Sequence, residues 1–268
     1  MPKTIIVVPA YNEAARLPLS AFTHYVNEHL HVQFIFVDDG STDSTAKLLN
    51  QLCRVRPKQF SLLQITENVG KAEAVRRGLL QALAESPKYV AFWDADLATP
   101  LEAIDEMEAL LDVNSSLQAV FGARVRLLGF NIERRVHRHF LGRLFAIAAS
   151  LALRTTVYDT QCGAKVFRAT ELVGLIFGRP FLSRWIFDVE VIARYAVVYS
   201  TGPLSAVIQE FPLPSWTDKP DSKVRLRSYF MAVFELIAIF YRYGIKDGYP
   251  ELHRAPPVTT SSRNHDVA

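Results

Sequence analysis

Three times before its midpoint the chain drives an apolar run straight into a polar turn that carries acids, and then into a helical pattern. Ile5-Ile6-Val7-Val8 leads to Pro9-Ala10-Tyr11-Asn12-Glu13, Gln33-Phe34-Ile35-Phe36-Val37 to Asp38-Asp39-Gly40-Ser41, and Tyr89-Val90-Ala91-Phe92-Trp93 to Asp94-Ala95-Asp96. Short continuous apolar runs mark strands buried on both faces, and such strands belong to parallel sheets crossed over by helices. Phe60–Ile65 and Ala119–Gly122 continue the series, with helical patterns over about 14–30, 72–84 and 101–111 between them. Pro9, having no N–H, should stop the ladder of the first strand. The expected fold class is α/β: a mostly parallel, Rossmann-like sheet with helices on both faces. Ligands of open α/β sheets sit at the carboxyl ends of the strands, where the three acid-bearing turns would meet.

Asp94 and Asp96 are two residues apart in an extended backbone, so both can face one side of a cleft with hard oxygen ligands. That arrangement suits Mg²⁺ or Mn²⁺ holding a diphosphate. Lys71 follows the glycine turn Asn68-Val69-Gly70 and opens a helix, where its charge opposes the helix dipole but is well placed to meet an anion. Ser41 or Thr42 would cap the helix after the second strand. A net charge of +3 and the absence of a Lys/Arg run argue against nucleic acid as a partner. Cys53 and Cys162 lack metal-ligand spacing and form no disulfide framework, which favours a reducing compartment. The first strand starts at Thr4, leaving no room for a leader, so a location on the cytoplasmic side is expected. Residues 250–268 lose apolar periodicity and collect Pro, Thr, Ser and Asn, as a disordered tail would.

The segments Val8–Glu13, Val37–Asp43, Asn68–Lys71 and Asp94–Asp96, in this order and spacing, resemble the inverting nucleotide-sugar glycosyltransferases of the GT-A fold, family two. Asp159–Arg168, Trp185–Glu190 and Trp216–Lys223 extend the resemblance to the polyprenyl-phosphate branch, which includes dolichyl-phosphate mannosyl- and glucosyltransferases. The likeness covers roughly residues 4–245 and implies a catalytic domain over 1–225 followed by an apolar helix over 226–245. It also implies site roles. Pro9, Tyr11, Glu13 and Asp38 or Asp39 would hold the base and ribose. Asp94, Ala95 and Asp96 would hold the donor diphosphate through the metal, with Lys71, Arg124 and Lys223 neutralising its oxygens. Asp159, Asp188 and Asp96 would be the catalytic carboxylates.

Inverting transfer is an in-line displacement at the anomeric carbon, and the leaving nucleoside diphosphate gains charge as its bond breaks. A hydroxyl acceptor must also lose a proton to a base. A phosphate monoester, with a second pKa near ~6, is already largely a dianion at neutral pH. Asp159 would orient the donor sugar or acceptor; Asp188 is the alternative, its other reading being a cap for the helix that begins there.

Phe140, Leu141, Leu144, Phe145, Ala148 and Leu151 make one helical stripe, surrounded by Arg134, Arg135, Arg138, Arg143 and Arg154. The stretch from Tyr229 to Tyr241 is apolar nearly all round apart from Glu235. The second is too short for a span, and both suit helices lying on an anionic membrane surface, core packing or a homo-oligomer interface being the other reading. The expected function is transfer of glucose or mannose from a UDP- or GDP-sugar to a polyprenyl phosphate by a peripheral membrane enzyme. Arg134, Arg135 and Arg138 would receive the lipid's head group. A sugar-hydroxyl acceptor, or a non-catalytic nucleotide-sugar-binding protein, are the alternatives.

Overall fold

A computed structural model describes residues 3–133, 136–153, 155–200, 202–219 and 226–245. The apolar runs become β1 (Thr4–Ala10), β2 (Val32–Asp39), β3 (Phe60–Ile65), β4 (Tyr89–Trp93) and β5 (Ala119–Ala123). Between them lie α1 (Leu19–Glu28), α2 (Thr45–Val55), α3 (Lys71–Ala84) and α4 (Ala103–Val113). The later half adds β6 (Asn131–Glu133), α5 (Val136–Leu153), β7 (Ala164–Arg168), α6 (Glu171–Phe177), α7 (Phe187–Val198), β8 (Ile208–Pro212), β9 (Ser215–Thr217) and α8 (Leu226–Phe240), with a π-helical turn at Tyr241–Ile245. Helix α1 starts later than its periodicity suggests. Glu13 O takes the N–H groups of Arg16 and Leu17 in a turn, and Pro18 has no N–H with which to extend it into a helix.

The main sheet runs β3-β2-β1-β4-β7-β5-β8, while β6 and β9 form a separate parallel pair. Its ladders are parallel except where β7 enters antiparallel between β4 and β5, with Trp93 opposite Ala164. That reversal has a functional consequence: the loop ahead of β7 arrives at the carboxyl end of β4, beside Asp94. Pro9 ends one ladder and not the other. Pairing with β4 stops at Val7, whereas pairing with β2 continues through Ala10.

Alternate residues of β1 feed two cores, as a two-residue period requires. Ile6 and Val8 pack with α1, α2 and α4, and Ile5 and Val7 with α3, α6 and α7. Gly78 lets α3 lie directly on the sheet, since a Cβ there would stand 2.4 Å from Val7 Cγ1. A third cluster joins Ala149 of α5, Val189 and Ala193 of α7, and Ala232, Leu236 and Ile239 of α8. Among the described residues no helix is long and apolar enough to cross a membrane.

Candidate active site

The first two strand ends are stitched together by Asn12, which adopts a left-handed φ of 52°. Its Oδ1 accepts the N–H of Thr42 at 2.8 Å and of Asp43 at 3.3 Å, and its own N–H donates to Ser41 Oγ at 2.9 Å. Ser41 and Thr42 therefore tie two loops and do not cap α2, whose cap position is Ser44. Glu13 is buried, bonded to the Arg16 guanidinium, and its N–H donates to Thr45 Oγ1 at 2.8 Å. Pro9 and Tyr11 flank this seam, both partly buried.

Asp38 and Asp39 are buried at the end of β2, and their roles divide. Asp38 accepts the N–H of Ser41 at 3.3 Å. Asp39 grips the next turn, taking the N–H of Val69 at 2.8 Å, of Gly70 at 2.9 Å and of Asn68 Nδ2 at 3.0 Å. Burial pushes its carboxyl up despite these donors. Gly40 is required here: at φ +69° a Cβ would meet the backbone of Glu67 and Asn68 at 2.7 Å.

The gripped turn delivers Lys71 as the first residue of α3, with Nζ 2.5 Å from Asp94 Oδ1. Burial pulls the ammonium pKa down, the nearby charges of Asp94, Asp188 and Asp96 pull it up, and the balance is upward. Asp96 bonds the N–H of Ala98 at 3.0 Å, and burial together with the charge of Asp94 pushes its carboxyl up. Ala95 turns its methyl into the core, so it can offer a donor only its backbone. Among the described residues no group of three His, Cys, Asp or Glu gathers as a metal site. Two carboxylates are nonetheless what a Mg²⁺ or Mn²⁺ shared with substrate phosphates needs, and the negative charge of Asp94 beside Asp96 fits such a cation. The Asp94 side chain lies in a cradle over Gly163, where a Cβ would fall 1.8 Å from Oδ2.

On the far side, Arg124 holds Asp159 two-pronged, Nε to Oδ2 at 2.6 Å and Nη2 to Oδ1 at 2.8 Å, and lies over the Trp216 ring at 5.2 Å. Burial works against the guanidinium charge and Asp159 outweighs it, so the Arg124 pKa is raised. Glu210 of β8 fixes this loop by accepting the N–H groups of Tyr158 at 2.9 Å and Asp159 at 2.8 Å. Asp188 is the second residue of α7, not its cap, which is Ile186. It turns inward to Lys165, fully buried in β7, at 2.6 Å, and the same ammonium bonds Cys162 O at 2.6 Å. Thus Asp94, Asp96, Lys71, Arg124, Asp159 and Asp188 are brought to one region. Arg134, Arg135 and Lys223 lie outside the described residues, and Arg138 falls in the first turn of α5.

Asn12, Lys165 and Glu210 were not singled out from the sequence. Lys165 had a signal: a lysine inside the apolar strand Ala164-Lys165-Val166-Phe167 must have a buried partner. The other two act on loops brought together by the fold.

Residues 5–172 match glycosyl transferase family 2. The chain belongs to that family. Among family 2 relatives, it is 31% identical over 254 residues to a dolichyl-phosphate beta-glucosyltransferase of Dictyostelium discoideum, covering 89% of this chain and 74% of that protein. It is 30% identical over 242 residues to the dolichyl-phosphate beta-glucosyltransferase of Saccharomyces cerevisiae, covering 82% and 69%. Two solved structures share its fold at low identity. The mannosyltransferase PcManGT from Pyrobaculum calidifontis, in complex with GDP-Man and Mn²⁺, has a TM-score of 0.57 at 18% identity, over 94% of this chain and 66% of that one. Glucosyl-3-phosphoglycerate synthase from Mycobacterium tuberculosis, with Mn²⁺, UDP and glucosyl-3-phosphoglycerate, has a TM-score of 0.61 at 19% identity, over 91% and 80%. The expected GT-A architecture is thereby borne out for this family 2 chain, and with it the assignment to hexosyl transfer.

Proposed function

We propose that this family 2 enzyme transfers glucose from a nucleoside-diphosphate sugar to a polyprenyl phosphate of the dolichyl type, inverting the anomeric centre. The observation that carries the acceptor class is the pairing of both acceptor-side carboxylates with cations. Asp159 is held by Arg124 and Asp188 by Lys165, so neither stands free to strip a proton from a hydroxyl. A phosphate dianion needs no such base. Glucose, in preference to mannose, follows the relatives' names, and their beta product is what inversion of an α-linked nucleotide sugar gives.

In this reading a phosphate oxygen of the lipid forms the new bond to the sugar's anomeric carbon while the bond from that carbon to the nucleoside diphosphate breaks. A divalent ion held by Asp94 and Asp96, when bound, helps neutralise the departing diphosphate. Lys71 meets the same charge from the start of α3, where the helix dipole adds to its own. Asn12, Asp38 and Asp39 set the loops that receive the base and ribose, with Glu13 and Tyr11 at their edge. Arg124, over the Trp216 ring and fixed by Asp159, presents a cation toward the reacting groups without needing to reorganise. The lipid substrate explains the apolar surface of α8, where Met231, Val233, Phe234 and Ile237 are exposed, as are Trp185 of the loop before α7 and Ile147 and Leu151 of α5. Such a face suits a protein lying on the cytoplasmic surface of a membrane.

The test offers labelled UDP-glucose and GDP-mannose with dolichyl phosphate, Mn²⁺ or Mg²⁺, and then chelator. Metal-dependent label in the organic phase from UDP-glucose is the expected result. Label in the organic phase from neither donor would overturn the reading.

A further inference from the structure

Arg184 has no part in the chemistry described above, yet it reaches across to the turn that delivers Lys71. Its Nη2 donates to Asn68 O at 3.1 Å and to Asn68 Oδ1 at 3.2 Å. Gly70, at φ +97°, lies so close beneath the guanidinium that a Cβ would stand 2.8 Å from Nε. The charge of Arg184 is also felt by Asp39. The Asn68–Gly70 turn is therefore held from two sides, by the Asp39 carboxylate and by the Arg184 guanidinium, immediately before the lysine that faces Asp94.

The loop that presents Arg184 is itself anchored. Ser183 is buried and accepts the N–H of Ile186 at 2.6 Å and of Trp185 at 3.0 Å. Its hydroxyl donates to Glu235 Oε2 at 2.5 Å. Glu235 is the one acid in the apolar stretch of α8, and this bond gives it a purpose: it seats the C-terminal helix on the loop that carries Arg184.

We propose that Arg184 is a positioning residue of the donor site, holding the Asn68–Gly70 turn so that Lys71 stays aligned on the donor diphosphate, and that Glu235 of α8 sets it through Ser183. The proposal rests on the donor-site reading above. The contacts join the donor-binding turn to the helix that offers the apolar surface, so the seat of that helix governs donor affinity.

The experiment measures binding of UDP and of GDP in the presence of Mn²⁺ by calorimetry, with separate KM values for donor and lipid acceptor and a thermal midpoint for each variant. Arg184→Ala should weaken binding of the preferred nucleotide, and raise the donor KM, by about tenfold, the loss of a charge-assisted hydrogen bond at an exposed site. Acceptor KM and thermal midpoint should hold. Arg184→Lys should lie between, and Glu235→Met, which touches no donor-site residue, should weaken nucleotide binding in the same direction by less. A raised acceptor KM with unchanged nucleotide binding, or nucleotide binding unaffected in both Arg184→Ala and Glu235→Met, overturns the proposal. Should Arg184→Ala fail to fold, Glu235→Met decides alone. Failure of the wild type to bind either nucleotide with Mn²⁺ would overturn the donor-site reading itself, a result distinct from a variant that binds as well as wild type.

Discussion

Gly163 and Asp94 leave each other no spare room. The carboxylate occupies the volume in which any side chain at 163 would begin, and the backbone adds a second tie, Asp94 N–H donating to Gly163 O at 3.0 Å. Gly163→Ala should therefore push the Asp94 carboxylate off its position while the sheet stays intact. Misplacing a group of a catalytic site by about 1 Å costs on the order of a hundredfold in rate, so if Asp94 serves as proposed kcat/KM should fall by at least about that much with little change in thermal midpoint. Activity within a few-fold of wild type would show that Asp94 is not fixed as described. At this scale the sequence was most informative where spacing alone decides geometry. Asp94, Asp96 and Lys71 stand out because two residues of strand and the first turn of a helix have known directions. The partners of Asp159 and Asp188 were hidden because they lie 35 and 23 residues away, and only the assembled sheet brings them together.

Among elements, β7 and α8 depart most from what periodicity conveys. A short apolar strand has a period but no direction, so the antiparallel entry of β7 between β4 and β5 could not be read from the sequence, although it places Gly163 and Lys165 at the site. Helix α8 reads as apolar all round and resolves into two faces. Ala232, Leu236 and Ile239 pack on α5 and α7, while Phe234 and Ile237 are 68% and 58% exposed. The stripe on α5 divides likewise, with Phe145 and Ala148 packed inward and Leu151 outward. A Phe234→Glu, Ile237→Glu double variant should lose co-sedimentation with anionic vesicles, since each apolar side chain contributes about 1.5–3 kcal/mol when it leaves water. Mn²⁺-dependent nucleotide binding should persist. Vesicle binding equal to wild type would mean that this face does not meet lipid.

The molecule as a whole is a two-sided device. In the proposed reading the carboxyl ends of β1, β2 and β4 with the start of α3 receive the donor, a side legible in the sequence as acid-bearing turns after apolar runs. The proposed acceptor side is framed by β5, β7, α7 and β8, where ion pairs join residues far apart in the chain. With those pairs engaged, the proposed acceptor would have to arrive already ionised. The most direct measurement gives the wild-type enzyme labelled UDP-glucose with Mn²⁺ and two acceptors that differ only in the phosphate, dolichyl phosphate and dolichol. The account predicts label in the phosphorylated lipid and none in the alcohol. Glucosylation of dolichol at a comparable rate would mean that a carboxylate serves as base after all, and would contradict it.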